Sequence, residues 1–205
     1  MIKQLYIIRH GQTDFNRRGI VQGSGVDAPL NELGLAQARS FYEAFKHVRF
    51  DKVYVSELKR THQSVAQFME RFPYEKHGAL NEISWGVYEG REVGPTDKVA
   101  FRSLIDQWEQ GQLDLAFEEG ESPQQVFDRQ REFMPKLRDN SKEKNVLICM
   151  HGRAMRVFLC QLLNLPLTRM DEFEHQNLCL YHLEMDEKGK FSLVKRNYTD
   201  HLSYL

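Results

Sequence analysis

The 205-residue sequence predicts an α/β fold, a three-layer α/β/α sandwich with a largely parallel central sheet. Short apolar runs alternate along the chain with longer helical patterns, as in folds built from βα units. One run, Asn145–Met150, is apolar almost throughout, which is typical of a parallel strand. The chain has no internal repeat and no low-complexity linker. We therefore expect a single domain over residues 1–205, a length that can bury a full core.

The elements follow from local patterns and from the residues that start helices. The expected order is strand 3–9, helix 34–48, strand 52–56, helix 57–71, strand 75–80, helical segment 95–110, helix 122–139, strand 145–151, helix 153–163 and strands near 177–185 and 190–197. Ser56 is expected to cap the second helix. Ser122 with Gln125 predicts a capping box, and Pro123 suits the first helical position. Residues 11–29 form a long loop, as expected of a wall around a substrate.

Composition favours a compact enzyme of the cytoplasm. The net charge is −1, and basic residues are interspersed with acidic ones, so no nucleic-acid partner is expected. Cys149, Cys160 and Cys179 are far apart and apolar in context, which favours reduced thiols over disulfides or zinc. No signal peptide and no bilayer-spanning apolar stretch can be recognised, so a cytoplasmic location without a membrane partner is expected.

The first strand ends in Arg9-His10-Gly11-Gln12-Thr13. Imidazole can accept a phosphoryl group at neutral pH, and a neighbouring guanidinium can hold phosphate oxygens in a planar fork. Glycine allows the backbone to approach a ligand closely. This motif suggests an enzyme with a histidine nucleophile that acts on phosphate.

Three later segments supply complementary groups. Arg60 follows the second strand, in the first turn of a helix, where backbone N–H groups favour anions. Glu82 lies among apolar residues and glycines, a setting that favours a held proton and makes it the natural candidate for general acid, with Glu75 and Glu89 as competitors for that role. His151 follows the apolar strand 145–150 and repeats the geometry of His10. Carboxyl ends of strands in such sheets gather ligands, so we expect the two histidines to meet there.

With these four motifs in this order, the chain resembles the histidine phosphatase superfamily, also called the phosphoglycerate mutase-like family, over nearly its whole length. The resemblance implies a phosphoglycerate mutase-like fold. It implies that His10 is phosphorylated, that Arg9, Arg60 and a protonated His151 surround the phosphoryl group, and that Glu82 protonates the leaving oxygen. The positions implied to contact substrate are Arg9, Thr13, Asn16, Gln22, Gly23, Arg60, Gly152 and Arg153. No metal and no cofactor are required, because arginines and histidine supply the positive charge.

The resemblance leaves phosphatase and mutase as alternatives. Related mutases carry E-R-H-Y-G after the catalytic glutamate, where the arginine serves a phosphoglycerate carboxylate. Here apolar Ile83 follows Glu82, and the segment 96–120 has no arginine pair. These departures favour a phosphomonoesterase that acts on a small phosphorylated metabolite. A cofactor-dependent phosphoglycerate mutase, and a non-catalytic phosphate-binding or scaffolding protein, remain the alternatives.

The identity of the ester stays open. The loop 19–30 resembles that of fructose-2,6-bisphosphatase-type proteins, and small bacterial relatives include α-ribazole phosphatases. The candidates for a second anionic group are Arg17, Arg18, Arg91, Lys98, Arg102 and Arg153. Arg153 is favoured because it starts a helix at the pocket edge, whereas the others are expected to be solvated. The six histidines outside the motifs, among them His175, are expected to be structural or exposed. A homodimer is compatible with the family.

Overall fold

The computed structural model describes residues 2–205, and its centre is a six-stranded sheet in the order β3-β2-β4-β1-β5-β6. The strands are β1 Lys3–Arg9, β2 Lys52–Val55, β3 Tyr74–Lys76, β4 Asn145–Met150, β5 Leu180–Met185 and β6 Phe191–Tyr198. The first four strands in the sheet order run parallel, whereas β5 is antiparallel to both β1 and β6. The predicted largely parallel central sheet is therefore confirmed, and β5 runs antiparallel within it.

The register of β1 against β4 brings the two histidine motifs together. Ile8 lies opposite Cys149, and Arg9 lies opposite Met150. Because the strands are parallel and in this register, His10 and His151 follow at the same edge of the sheet. Their ring centroids are 5.1 Å apart.

Helices cover both faces of the sheet. The α-helices are α1 Asp14–Arg18, α2 Glu32–Phe45, α3 Lys59–Ser64, α4 Ala66–Met69, α5 Pro95–Glu109, α6 Pro123–Arg131, α7 Met134–Asp139 and α8 Gly152–Leu163. Strand alternation divides the core, because successive side chains point to opposite faces. Leu5 and Ile7 pack with α8 on one face, and Ile8 packs with Phe41 of α2 on the other. The three-layer sandwich is confirmed.

Several predicted boundaries were wrong. The expected helix 57–71 is split at Val65, whose φ of −128° and ψ of 18° interrupt the helix. The expected helix 122–139 is likewise two helices, and strand 75–80 ends at Lys76, after which Gly78–Leu80 forms a 3-10 turn. The loop 11–29 contains the short helix α1, which Thr13 caps.

The two predicted caps had different outcomes. Ser122 accepts a hydrogen bond from the Gln125 N–H, and the Gln125 side chain returns one to the Ser122 N–H, with Pro123 at the first helical position. Ser56, by contrast, is not the cap of α3, because that helix begins at Lys59 and its N-cap residue is Leu58. The Ser56 hydroxyl is used in the candidate site instead.

All three cysteines are buried free thiols, as expected. Burial raises the pKa of the Cys160 thiol to about 12, so the group stays protonated at neutral pH. No helix within residues 2–205 is both long and apolar enough to cross a membrane.

Candidate active site

His10 lies at the end of β1 and is almost fully buried, with 2% of its surface exposed. Its Nδ1 lies 2.7 Å from the Gly11 carbonyl oxygen and donates to it, since a carbonyl can only accept. The neutral ring therefore has its lone pair on Nε2. The backbone at Gly11 packs closely against Gly34, which is possible because glycine lacks a side chain. A β-carbon at position 11 would lie 2.8 Å from the Gly34 carbonyl oxygen.

The electrostatic surroundings keep His10 neutral. Burial, followed by the positive charges of Arg60 and Arg9, lowers the pKa of His10 well below its usual value of 6.5. At neutral pH the ring consequently carries a free lone pair, which is what a nucleophile requires.

Arg60 is fully buried and held by three acceptors. Its Nε donates to Nδ1 of His151 at 3.1 Å, Nη1 to the Val26 carbonyl at 2.5 Å, and Nη2 to the Gly23 carbonyl at 3.1 Å. These bonds leave one N–H on each terminal nitrogen for an anion. Burial lowers the pKa of Arg60 to about 10, so the guanidinium is still charged at neutral pH.

His151 has both ring nitrogens engaged by the protein. Arginine can only donate, so Nδ1 accepts from Arg60, and the ring proton lies on Nε2. That proton is donated to the Ser56 hydroxyl at 2.8 Å. Burial, followed by the charge of Arg60, lowers the pKa of His151 well below 6.5. The structure thus has a neutral His151 instead of the expected protonated one.

Ser56 is a site residue that the sequence interpretation assigned to a helix cap. Its hydroxyl is fully buried and accepts from His151 Nε2 and from the Leu58 N–H at 3.1 Å. Thr61 donates its own proton to the Leu58 carbonyl at 2.8 Å, so Ser56 donates to Thr61 Oγ1 at 3.0 Å. Every hydrogen-bonding position of the Ser56 hydroxyl is therefore used, and the orientation of the His151 ring is fixed.

Arg9, which precedes His10 in the chain, contacts His175. His175 is, after Ser56, the second site residue that the sequence interpretation missed. Arg9 Nη1 donates to Nδ1 of His175 at 3.2 Å, while the buried Nε of Arg9 has no partner among residues 2–205. Burial, followed by the charges of Arg9 and two further arginines, lowers the pKa of His175 to about 2. No motif surrounds His175. It is 166 residues away from Arg9 in the sequence, and only the fold brings the two side chains together.

Glu82 is buried, with 6% of its surface exposed, and lies at the beginning of α8. Oε1 accepts from the N–H groups of Ile83 at 3.0 Å and Ala154 at 2.8 Å, and Oε2 accepts from the Arg153 N–H at 3.1 Å. Glu82 thus accepts three backbone hydrogen bonds, two of them from the first turn of α8. The expected setting of apolar residues and glycines did not include these three donors.

The predicted substrate contacts near Thr13 form a network that braces the loop. Thr13 Oγ1 accepts from the Asn16 N–H at 3.1 Å and from Gln22 Nε2 at 3.0 Å. Asn16 Oδ1 accepts from the Thr13 N–H at 3.2 Å and from Asn177 Nδ2 at 3.2 Å. Asn177 also donates to the His10 carbonyl at 3.0 Å. The structure thus gathers Thr13, Asn16 and Gln22 in one network, which Asn177 connects to the backbone of His10. The Gln22 Oε1 atom is buried and has no partner within residues 2–205.

Gly152 and Arg153 begin α8, beside the histidines. A β-carbon on Gly152 would lie 2.8 Å from the His175 ring, so glycine permits this packing. The Arg153 side chain pairs with Asp171, 2.7 and 2.8 Å from its two carboxylate oxygens. The other arginine candidates are farther out and have partners of their own: Arg17 pairs with Asp14, Arg18 with Glu92, Arg91 with Asp97 and Arg102 with Asp106.

Comparison with known proteins finds phosphatases similar to this chain. The chain is 28% identical to phosphoserine phosphatase 1 of Hydrogenobacter thermophilus over 98% of this chain and 95% of the relative. It is 26% identical to the adenosylcobalamin/α-ribazole phosphatase of Salmonella typhimurium, covering 90% of this chain and 91% of the relative.

The fold is also found among solved structures. The native structure of mycobacterial glucosyl-3-phosphoglycerate phosphatase matches 97% of this chain and 100% of its own, with a TM-score of 0.84 and 22% identity. In sequence, residues 5–199 match the family model of the histidine phosphatase superfamily (branch 1). The protein, with paired histidines at the carboxyl ends of β1 and β4, belongs to the histidine phosphatase superfamily, as a phosphoric monoester hydrolase.

Proposed function

We propose that the protein is a metal-independent phosphomonoesterase that transfers the phosphoryl group of a small phosphorylated metabolite to Nε2 of His10, with Glu82 as proton donor. The observation that carries this proposal is the hydrogen bond from His10 Nδ1 to the Gly11 carbonyl. It holds the ring in the tautomer whose Nε2 has a free lone pair. The charges of Arg9 and Arg60 then lie beside the nucleophile.

The first step is an in-line displacement at phosphorus. The phosphorus–nitrogen bond to His10 forms while the bond to the ester oxygen breaks. Charge on the three equatorial oxygens is stabilised by the unused N–H groups of Arg60 and Arg9. Because three protein acceptors hold Arg60 in place, the guanidinium needs little reorganisation during the reaction.

The leaving oxygen takes its proton from Glu82. Oε1 already accepts two hydrogen bonds and Oε2 only one, so Oε2 has the free position that can carry a proton. Once the proton has left, the three N–H groups and the N-terminus of α8 stabilise the resulting carboxylate. The same carboxylate can then take a proton from the water that hydrolyses the phosphohistidine.

Hydrolysis is favoured over the mutase alternative by the position of Ile83. This residue is fully buried in the apolar core on the α8 side of the sheet. The related mutases have an arginine there that serves a substrate carboxylate, and a buried isoleucine supplies no such group. Water is thus the preferred acceptor of the phosphoryl group.

The test is release of inorganic phosphate, without added metal, from a panel of esters: p-nitrophenyl phosphate, O-phosphoserine, 3-phosphoglycerate and α-ribazole phosphate. Release by the wild type that His10→Gln abolishes is the expected result. Glutamine is chosen because the His10 ring is buried and a smaller residue would leave a cavity. Interconversion of 3- and 2-phosphoglycerate without net phosphate release would overturn the hydrolase proposal in favour of a mutase.

A further inference from the structure

Glu82 lies in an irregular segment of the chain, residues 78–84. The segment begins with the 3-10 turn Gly78–Leu80 and continues to Ser84 without a helix or a strand. Glu82 and Ile83 are buried, and buried backbone groups outside regular structure need partners from other parts of the fold. The residues that supply these partners therefore determine where Glu82 lies.

Arg129, near the end of α6, binds this segment with both terminal nitrogens of its guanidinium. Nη1 donates to the carbonyl oxygens of Gly78 at 3.4 Å and Ala79 at 2.7 Å. Nη2 donates to those of Asn81 at 2.9 Å and Glu82 at 3.1 Å. Because the N–H groups of a guanidinium lie in one rigid plane, a single side chain fixes the backbone of Glu82 relative to the turn before it.

Glu121 completes the arrangement from the residue before the cap of α6. Its carboxylate accepts from Nε of Arg129 at 2.9 Å and from Nη2 at 3.2 Å. Its Oε2 also accepts from the Ser84 N–H at 2.9 Å, and its own N–H donates to the Ser84 carbonyl at 2.9 Å. We name Arg129 and Glu121 the Arg129 pair. The pair binds the backbone at Glu82 and two residues after it.

The helix that carries Arg129 also holds a residue that binds the Glu82 carboxylate. The Ala154 N–H donates to Oε1 of Glu82 at 2.8 Å, and the Ala154 carbonyl accepts from Nε2 of Gln130 at 2.8 Å. Gln130 is fully buried and follows Arg129 in α6. Two successive residues of α6 thus fix the backbone of Glu82 and a donor to its carboxylate.

We propose that the Arg129 pair positions Glu82 for proton transfer, by holding its backbone so that Oε2 faces the leaving oxygen. This inference rests on the proposed role of Glu82 as proton donor. Proton transfer needs a short, aligned hydrogen bond, so displacement of the donor slows a step that uses its proton. The attack of His10 on phosphorus does not need that proton. The pair therefore acts most strongly on esters with poor leaving groups.

The test is Arg129→Lys, assayed with two esters of similar size, benzyl phosphate and p-nitrophenyl phosphate. Lysine keeps the charge, but its donors all lie on one atom and cannot replace the planar fork. Turnover of benzyl phosphate, which has the poorer leaving group, should fall at least about tenfold, and that of p-nitrophenyl phosphate less than about threefold. KM should stay unchanged, because the pair does not touch the substrate. Equal slowing of both esters would indicate a merely structural role and overturn the inference.

A double variant with Glu82→Gln separates positioning of the acid from other effects. Glu82→Gln alone should slow benzyl phosphate more than p-nitrophenyl phosphate. When Arg129→Lys is added to it, turnover of benzyl phosphate should fall by less than about twofold further, because the proton that the pair positions is already missing. Effects of the two substitutions that multiply in full would contradict the inference.

The matched control is Arg169→Lys. Arg169 binds Glu172 through Nε at 2.7 Å and Nη2 at 2.8 Å, but it makes no hydrogen bond to residues 78–84. Its rate ratio for the two esters should equal that of the wild type. Melting curves check that each variant is folded at the assay temperature.

Glu121→Gln is the second variant, because it keeps the size of the side chain but removes the carboxylate that binds Arg129 through two oxygens. It should lower the benzyl to p-nitrophenyl rate ratio in the same direction as Arg129→Lys. An unchanged ratio in either folded variant would overturn the inference.

The two proposals can fail separately. If Glu82→Gln slows benzyl phosphate selectively but the variants of the Arg129 pair do not, the positioning inference is wrong and the proposed function stands. If Glu82→Gln slows both esters equally, Glu82 is not the proton donor, and both the proposed acid and the inference are overturned.

Discussion

Replacing Ser56 by alanine tests whether its hydroxyl positions the active-site histidine. The substitution removes the acceptor of two buried donors, the Leu58 N–H and the Nε2–H of His151. Thr61 Oγ1 also loses the hydrogen bond that it accepts from Ser56, but the Thr61 hydroxyl still donates to the Leu58 carbonyl. Ser56, Thr61 and His151 are fully buried, so water cannot replace the hydroxyl without local opening.

The expected loss of stability follows from those two donors. Each buried unsatisfied group costs about 1–3 kcal/mol, so Ser56→Ala should lower the free energy of unfolding by roughly 2–6 kcal/mol. For a protein of this size about 1 kcal/mol corresponds to ~2–4 °C in Tm, so the melting temperature should fall by about 4–24 °C. Chemical and thermal unfolding measure both quantities.

Activity distinguishes a positioning role from a structural one. Without its Ser56 partner the His151 ring is less fixed, and the hydrogen bond that aligns Arg60 weakens with it. Losing one such hydrogen bond, worth about 1–1.5 kcal/mol, should lower kcat by roughly 5–10-fold below the melting transition. Ser56→Thr, which restores a hydroxyl, should recover part of the lost rate.

Ser122→Ala is the matched control for this experiment. Ser122 is equally buried and also accepts from a backbone N–H, but it caps α6 and does not contact the histidines. The control should lose about 0.5–2 kcal/mol of stability while kcat stays unchanged. If Ser56→Ala retained full kcat and lost no more stability than Ser122→Ala, the positioning role of Ser56 would be refuted.

Two further predictions concern protons. Glu82→Gln should slow alkyl phosphates by about 10²–10⁴-fold but p-nitrophenyl phosphate far less, because a good leaving group needs little protonation; equal slowing of both esters would identify another acid. Since the pKa values of His10, His151 and His175 are depressed in the folded state, the unfolded chain binds protons first as the pH falls. Stability should therefore be full above pH 6.5 and fall by about 1 kcal/mol per histidine between pH 6.5 and 5.5. Denaturant titrations at both pH values check this, and an unchanged slope in His175→Gln would contradict it.

Local signals in the sequence predicted the features that depend on neighbouring residues. The capping box of Ser122 and Gln125 is closed within four residues, so its pattern is visible in the chain. Strands β1 and β4 were predicted from apolar runs, and their parallel pairing follows from the α/β pattern. The meeting of His10 and His151 needed only these two facts.

Contacts between distant segments could not be predicted in the same way. Ser56 matches a helix cap locally, and only the position of His151, 95 residues later, gives its hydroxyl another partner. Glu82 binds backbone N–H groups more than 70 residues away, which a count of apolar neighbours cannot reveal. The pairing of Arg153 with Asp171 likewise depends on how the segment after α8 returns to the site.

The most direct test of the account is to trap the phosphoenzyme. The wild type is mixed for milliseconds with a ³²P-labelled ester, quenched in alkali and digested, and the labelled peptide is sequenced. The account predicts an alkali-stable, acid-labile label on His10 that forms before inorganic phosphate is released and is absent from His10→Gln. Phosphate release without any labelled enzyme, or label on another residue, would contradict it.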